Sequence, residues 1–102
     1  MNRTTLYIKL IDKDTKQQKL SMLETYKTIQ RIVLQYTDKF TIFEADWVHE
    51  HQNGTITVEK ALKTELFDVS KDIVSEIIKI LKIVLNHESI LMQHHEIVTS
   101  IV

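Results

Sequence analysis

Residues Thr5–Ile11 alternate with a period of two, placing Leu6, Ile8 and Leu10 on one side and Thr5, Tyr7, Lys9 and Ile11 on the other. That is the pattern of a half-buried strand. The polar stretch Asp12–Lys19 begins with turn chemistry, and Gln17–Leu20 is short enough for an edge strand protected by its lysines. At Ser21-Met-Leu-Glu24 the serine and glutamate have the spacing of a capping box. A helix is therefore expected from Met22 to near Asp38, with Met22, Leu23, Tyr26, Ile29, Val33, Leu34 and Tyr36 at helical period.

Between Phe40 and Leu66 the pair Asn53-Gly54 predicts a two-residue type I′ hairpin. The implied register sets His51 opposite Ile56, His49 opposite Val58, Trp47 opposite Lys60 and Ala45 opposite Leu62. It leaves Glu44, Asp46, Glu50 and Glu59 together on the opposite, acidic face, as expected of an antiparallel pair solvated on one side.

Ser70 or Asp68 caps a last helix that begins near Lys71. Written in heptads, its a positions are Ile77, Val84, Leu91 and Val98, and its d positions are Ile73, Ile80, His87, His94 and Ile101. A helix running to Ile101 would span ~46 Å, more than the ~30 Å of a small domain. The expectation is an overhang covered by a second copy on a two-fold axis, with Ile77, Ile80, Val84, His87, Leu91, His94, Val98 and Ile101 in the dimer interface. The competing reading breaks the helix at Asn86-His87-Glu88-Ser89 and folds the last segment back as a short helix or strand.

The elements together predict a single α+β domain over residues 1–102, with three or four antiparallel strands packed by two helices in the order β(β)αββα and a long C-terminal helix. At 102 residues and 43% hydrophobic content the chain can build a core without disulfides or a structural metal. One glycine, no proline and no cysteine exclude phosphate-cradling glycine loops, nucleophile elbows, thiolate metal sites and thiol catalysis. Fourteen Ile and eleven Lys, against five residues of Ala, Gly, Pro and Arg combined, resemble proteins of AT-rich genomes, phages and mobile elements among them.

A net charge of −1 supplies no global field, but residues 1–39 carry eight Lys/Arg against four Asp/Glu and residues 40–102 carry five against ten. The acidic hairpin face Glu44, Asp46, Glu50 and Glu59 suits a basic protein partner, whereas Arg3, Lys9, Lys13, Lys16 and Lys19, with Tyr7 between them, suit nucleic acid. His49 and His51 form an H-x-H pair that presents two imidazoles to one metal, although HExxH is absent. Asp12 and Asp14 lack the rest of a calcium loop and read as a turn. No serine lies in a motif with a base, so no catalytic residue and no cofactor is expected.

The leading expectation is a small non-enzymatic interaction module, homodimeric through its last helix, acting as a regulator or inhibitor from a phage or mobile element. Nucleic-acid binding and histidine-based metal binding are the alternatives. The N-terminus reaches Lys9 and Asp12 before a signal-peptide apolar region forms, so a cytoplasmic location is expected, with no membrane partner.

Overall fold

The computed structural model describes residues 2–96 and contains six elements: β1 (Asn2–Lys9), α1 (Met22–Val33), β2 (Phe40–Glu50), β3 (Ile56–Phe67), α2 (Lys71–Val84) and β4 (Leu91–Glu96). The four strands form one antiparallel sheet in the order β2-β3-β1-β4. The chain is α+β, as its patterning requires, but the element order is β-α-β-β-α-β. The segment Gln17–Leu20 contributes only an isolated bridge between Ile11 and Gln18.

Alternation along β1 and β3 decides which face the helices cover. Leu6 and Ile8 pair with Thr64 and Leu62, and with Leu66 they meet Ile29 and Val33 of α1 and Ile77 and Leu81 of α2. All eight apart from Thr64 are apolar and all are fully buried. The odd-numbered residues of β1, Arg3, Thr5, Tyr7 and Lys9, lie on the face that the helices leave open. There Ala61 and Thr5 are nevertheless buried beneath their larger neighbours.

The capping box forms as its spacing predicts: the Glu24 amide donates to Ser21 Oγ at 3.0 Å and the Ser21 amide donates to Glu24 Oε1 at 3.4 Å. Helix α1 stops at Val33, short of Asp38, because its last turn tightens into three-residue bonds, Gln35 to Ile32 and Tyr36 to Val33.

The C-terminal helix departs most from expectation. Ser70 caps α2, its Oγ accepting from the Ile73 amide, but the helix ends after Val84. Asn86 adopts a left-handed φ of 53°. Its amide donates to the Ile83 carbonyl and the next amide, of His87, donates to the Lys82 carbonyl. This pair of bonds is a Schellman motif, in which asparagine accepts a backbone geometry that costs most residues more. The chain then turns back as β4 against β1, pairing Leu91 with Tyr7 and Glu96 with Asn2.

The continuous interface helix is thereby corrected. Ile77 is a core residue, Ile80 packs partly against the core, His87 is buried in the turn, and Leu91 and His94 belong to β4, while Val84 is exposed at the helix end. Val98 and Ile101 lie outside the described residues.

The hairpin is corrected by one residue. Its loop is Gln52-Asn53-Gly54, closed by the His51 amide donating to the Thr55 carbonyl and the Gly54 amide donating to the His51 carbonyl. Gly54 has φ +85°, the left-handed position of a three-residue hairpin with a bulge. Trp47 therefore faces Glu59, His49 faces Thr57 and Ala45 faces Ala61. Because the side-chain period is two, this single step moves Glu59 from the side of Glu44, Asp46 and Glu50 to the side of Trp47 and His49.

Candidate functional site

Three clefts run together along one end of the molecule, where β1 enters the loop to α1, α2 turns into β4, and the β2–β3 hairpin projects. The widest, about 600 Å³, lies between Lys13, Asp14 and Lys16 of the first loop and Lys82 at the end of α2 with Asn86 and Glu88 of the second loop. A second, about 190 Å³, shares Lys13, Lys16, His87 and Glu88 with it and reaches Lys9 and Glu59. The third, about 290 Å³, begins at that same Lys9 and Glu59 and is completed by Trp47, His49, His51 and Thr57.

The two loops are held together by Asp12. Its Oδ1 accepts from the Asp14 and Thr15 amides, both at 2.9 Å, and its Oδ2 accepts from Asn86 Nδ2 at 2.7 Å. The Lys13 amide donates to the Asn86 carbonyl, adding a main-chain link. The Thr15 amide and the Asn86 side chain hold the Asp12 carboxyl well below the usual carboxylate range, against the opposing effect of burial. Beside it His87 is buried, and loss of water pushes its pKa below the ordinary value while the nearby Asp12 charge pulls it back up. The neutral imidazole is thus the form the fold prefers. The reading of Asp12 and Asp14 as a turn describes this loop. Its partnership with Asn86, 74 positions away, was signalled only by an asparagine at the end of a helical pattern.

On the sheet side, Lys9 Nζ lies 3.0 Å from Glu59 Oε2 and 5.2 Å from the centre of the Trp47 ring. Tyr7 meets Trp47 edge to face, with 5.6 Å between ring centres. Farther along the open face, Lys63 covers both Tyr7 and Phe43. Aromatic rings here alternate with ammonium groups that already lie over their faces, a surface suited to flat π systems and to anionic groups.

The hairpin register brings His49 and His51 together, with ring centres 4.5 Å apart, and His51 Nε2 lies 2.7 Å from Thr57 Oγ1. Among the described residues, no group of three or more His, Cys, Asp or Glu side chains is placed to hold a metal. Of the five cations proposed for nucleic acid, Arg3 pairs with Glu65, Lys9 with Glu59, Lys16 with Glu88 and Lys19 with Asp12, so four face a carboxylate. Arg3 stands at the far end of β1 from Lys9, and Lys13 lines the loop clefts. The acidic partner face divides: Glu44, Asp46 and Glu50 lie on the helix side of the hairpin and Glu59 lies on the open side against Lys9. The one-residue change of register is the reason.

No helix among the described residues is long and apolar enough to cross a membrane. No family model and no curated protein matches the chain. Solved chains that share its fold include two of a phage enzyme. One, described as a phage SAM lyase in complex with S-methyl-5′-thioadenosine, is 15% identical with a TM-score of 0.65, over 93% of this chain and 80% of that one. The other, a phage SAM lyase in the apo state, is 13% identical with a TM-score of 0.63, over 92% and 78%. At such identities the likeness is one of fold. It overturns the expectation that the chain is not an enzyme, because the same architecture carries an enzyme in those proteins. Missing glycine and serine motifs exclude particular chemistries and leave catalysis by side chains of strands and loops untouched.

Proposed function

We propose that the clefts at the loop end bind a purine nucleoside bearing sulfur at its 5′ carbon, and that the chain acts on S-adenosylmethionine as a lyase of phage origin. The observation that carries this reading is the Lys9–Glu59 pair shared by the hairpin cleft and the adjoining loop cleft, with Trp47 beside it on the hairpin side. The ligand class comes from the proteins that share the fold. The chemistry there suits each part of such a ligand. Trp47 offers a face for a purine, and stacking of this kind is worth roughly 1–3 kcal/mol per base. A sulfonium is a compact cation that would compete with Lys9 for the Glu59 carboxylate. Lys13 and Lys16, in the adjoining clefts, suit an amino-acid carboxylate.

The test uses the chain's single tryptophan as its own reporter. Adding S-methyl-5′-thioadenosine should change Trp47 emission saturably. Trp47→Ala, followed by calorimetry, should weaken binding by about 5- to 150-fold, the factor equivalent to the stacking range. Incubation with S-adenosylmethionine should release S-methyl-5′-thioadenosine, read by chromatography. Unchanged affinity in Trp47→Ala would place the ligand elsewhere, and absence of both binding and release would reject the reading.

A further inference from the structure

We propose that the β2–β3 hairpin of one copy docks into the groove between α2 and β4 of another, so that the chain associates with itself head to tail. The observation begins with strand lengths. β1 pairs with β3 only as far as Ala61, so the pairs from Asp46–Lys60 to Glu50–Ile56 extend past β1 and have no helix beneath them. On their helix side Val48, Ile56 and Val58 are 60%, 63% and 57% exposed, side by side on one face. Glu44, Asp46 and Glu50 share that face, with Lys60 the one cation, bonded to Asp46 at 2.7 Å. The projection is an apolar strip with an acidic border.

Its complement lies on the same chain. Between α2 and β4 two adjoining hollows of about 440 and 250 Å³ share Ser75 and Met92. Their apolar floor includes Ile78 and the exposed side chains Ile83 (71%) and Met92 (49%), and their border carries Lys71, Lys79 and Lys82. An apolar strip edged by Glu44 and Glu50, with Asp46 held by Lys60, thus matches an apolar groove edged by Lys71, Lys79 and Lys82. Complementary patches of opposite charge fix which surfaces meet and disfavour like-with-like pairing. The two patches are different surfaces on one chain, so the contact is heterologous, unlike the two-fold helix pairing expected from the sequence.

A heterologous contact has a signature that a two-fold one lacks. Each partner uses only one of its two surfaces in a given contact, so two differently damaged chains can still meet. The experiment is sedimentation of the wild type, of Val48→Asp/Val58→Asp on the hairpin, of Ile83→Asp in the groove, and of an equimolar mixture of the two variants, each checked for native circular dichroism. The wild type should exceed monomer mass, each variant alone should be monomeric, and the mixture should form a dimer through its one intact hairpin and one intact groove. Should a substitution disturb folding, Glu44→Lys/Glu50→Lys and Lys79→Glu/Lys82→Glu replace the pair, again alone and mixed with the undamaged surface of the other. A monomeric wild type, a variant that assembles as well as the wild type, or a mixture that remains monomeric would overturn the proposal.

Discussion

Replacing Asn86 with alanine distinguishes the folded-back chain from a continuous C-terminal helix by the sign of the effect. In a continuous helix position 86 would be interior, where alanine is the best helix former and asparagine costs about 0.6 kcal/mol more, so the substitution would stabilise. In the structure Asn86 holds φ at 53°, and its amide nitrogen donates to Asp12 Oδ2 at 2.7 Å and Asp14 Oδ2 at 2.9 Å. Alanine suffers the left-handed backbone, about 1–2 kcal/mol, and also loses both donors. A hydrogen bond to a charged group contributes about 1.5–3 kcal/mol in favourable cases, and the partial exposure here places the pair together near the lower figure. The expected loss is about 3 kcal/mol. Asn86→Gly relieves the backbone while still losing the donors, so it should be more stable than Asn86→Ala by about 1 kcal/mol. Urea unfolding followed by circular dichroism measures both differences. Stabilisation by alanine, or equal stability of the alanine and glycine variants, would refute the turn at Asn86.

Gly54→Val should destabilise by about 1–2 kcal/mol, wholly through backbone strain, because φ is +85° and no atom lies within 4 Å of an added Cβ. Gly54→Asn should lose less, and equal melting of all three chains would reject the bulged loop. His87, whose folded pKa is pushed below its ordinary 6.5 by burial, stabilises the fold fully above pH 6.5. That contribution falls as acid drives the unfolded imidazole to take up protons, down through the folded pKa. His87→Gln should flatten urea midpoints measured across this interval, whereas Asp12 contributes its own loss only below its ordinary 3.8. An unchanged slope in His87→Gln would show that another group governs the interval. Thr64→Val should raise stability by about 1 kcal/mol, since the Thr64 hydroxyl is fully buried between Leu62 and Leu66 and meets no hydrogen-bond partner among the described residues. A lower melting temperature would mean that this hydroxyl is satisfied.

Signals confined to a few neighbouring residues were legible in the chain. The alternation of β1, the Ser21–Glu24 box and the Ser70 cap each name an element because their chemistry is local. What depended on one residue of register or on a distant partner was not. Asn53-Gly54 favours a two-residue turn when read alone, and only pairing along the whole hairpin selects the three-residue loop, carrying Trp47 and Glu59 to the face of Lys9. Ile90, Leu91 and Met92 satisfy a helical pattern as readily as a strand, because a short apolar run has no period of its own. Asn86 and the β1 edge that receives Leu91–Glu96 decide between the two. The clefts combine both kinds of distant information, which is why Lys9 was legible as a cation and not as the neighbour of Trp47.

Nuclear magnetic resonance of the isotope-labelled chain titrated with S-methyl-5′-thioadenosine tests the assignment of the site most directly. Saturable shifts should gather at Lys9, Trp47, His49, Thr57 and Glu59, extend to the loop residues Lys13, Lys16 and His87, and leave Arg3 and the α1 surface unaltered. A spectrum unmoved at millimolar ligand, or shifts gathered on α1 or at the Arg3 end of the sheet, would contradict the account.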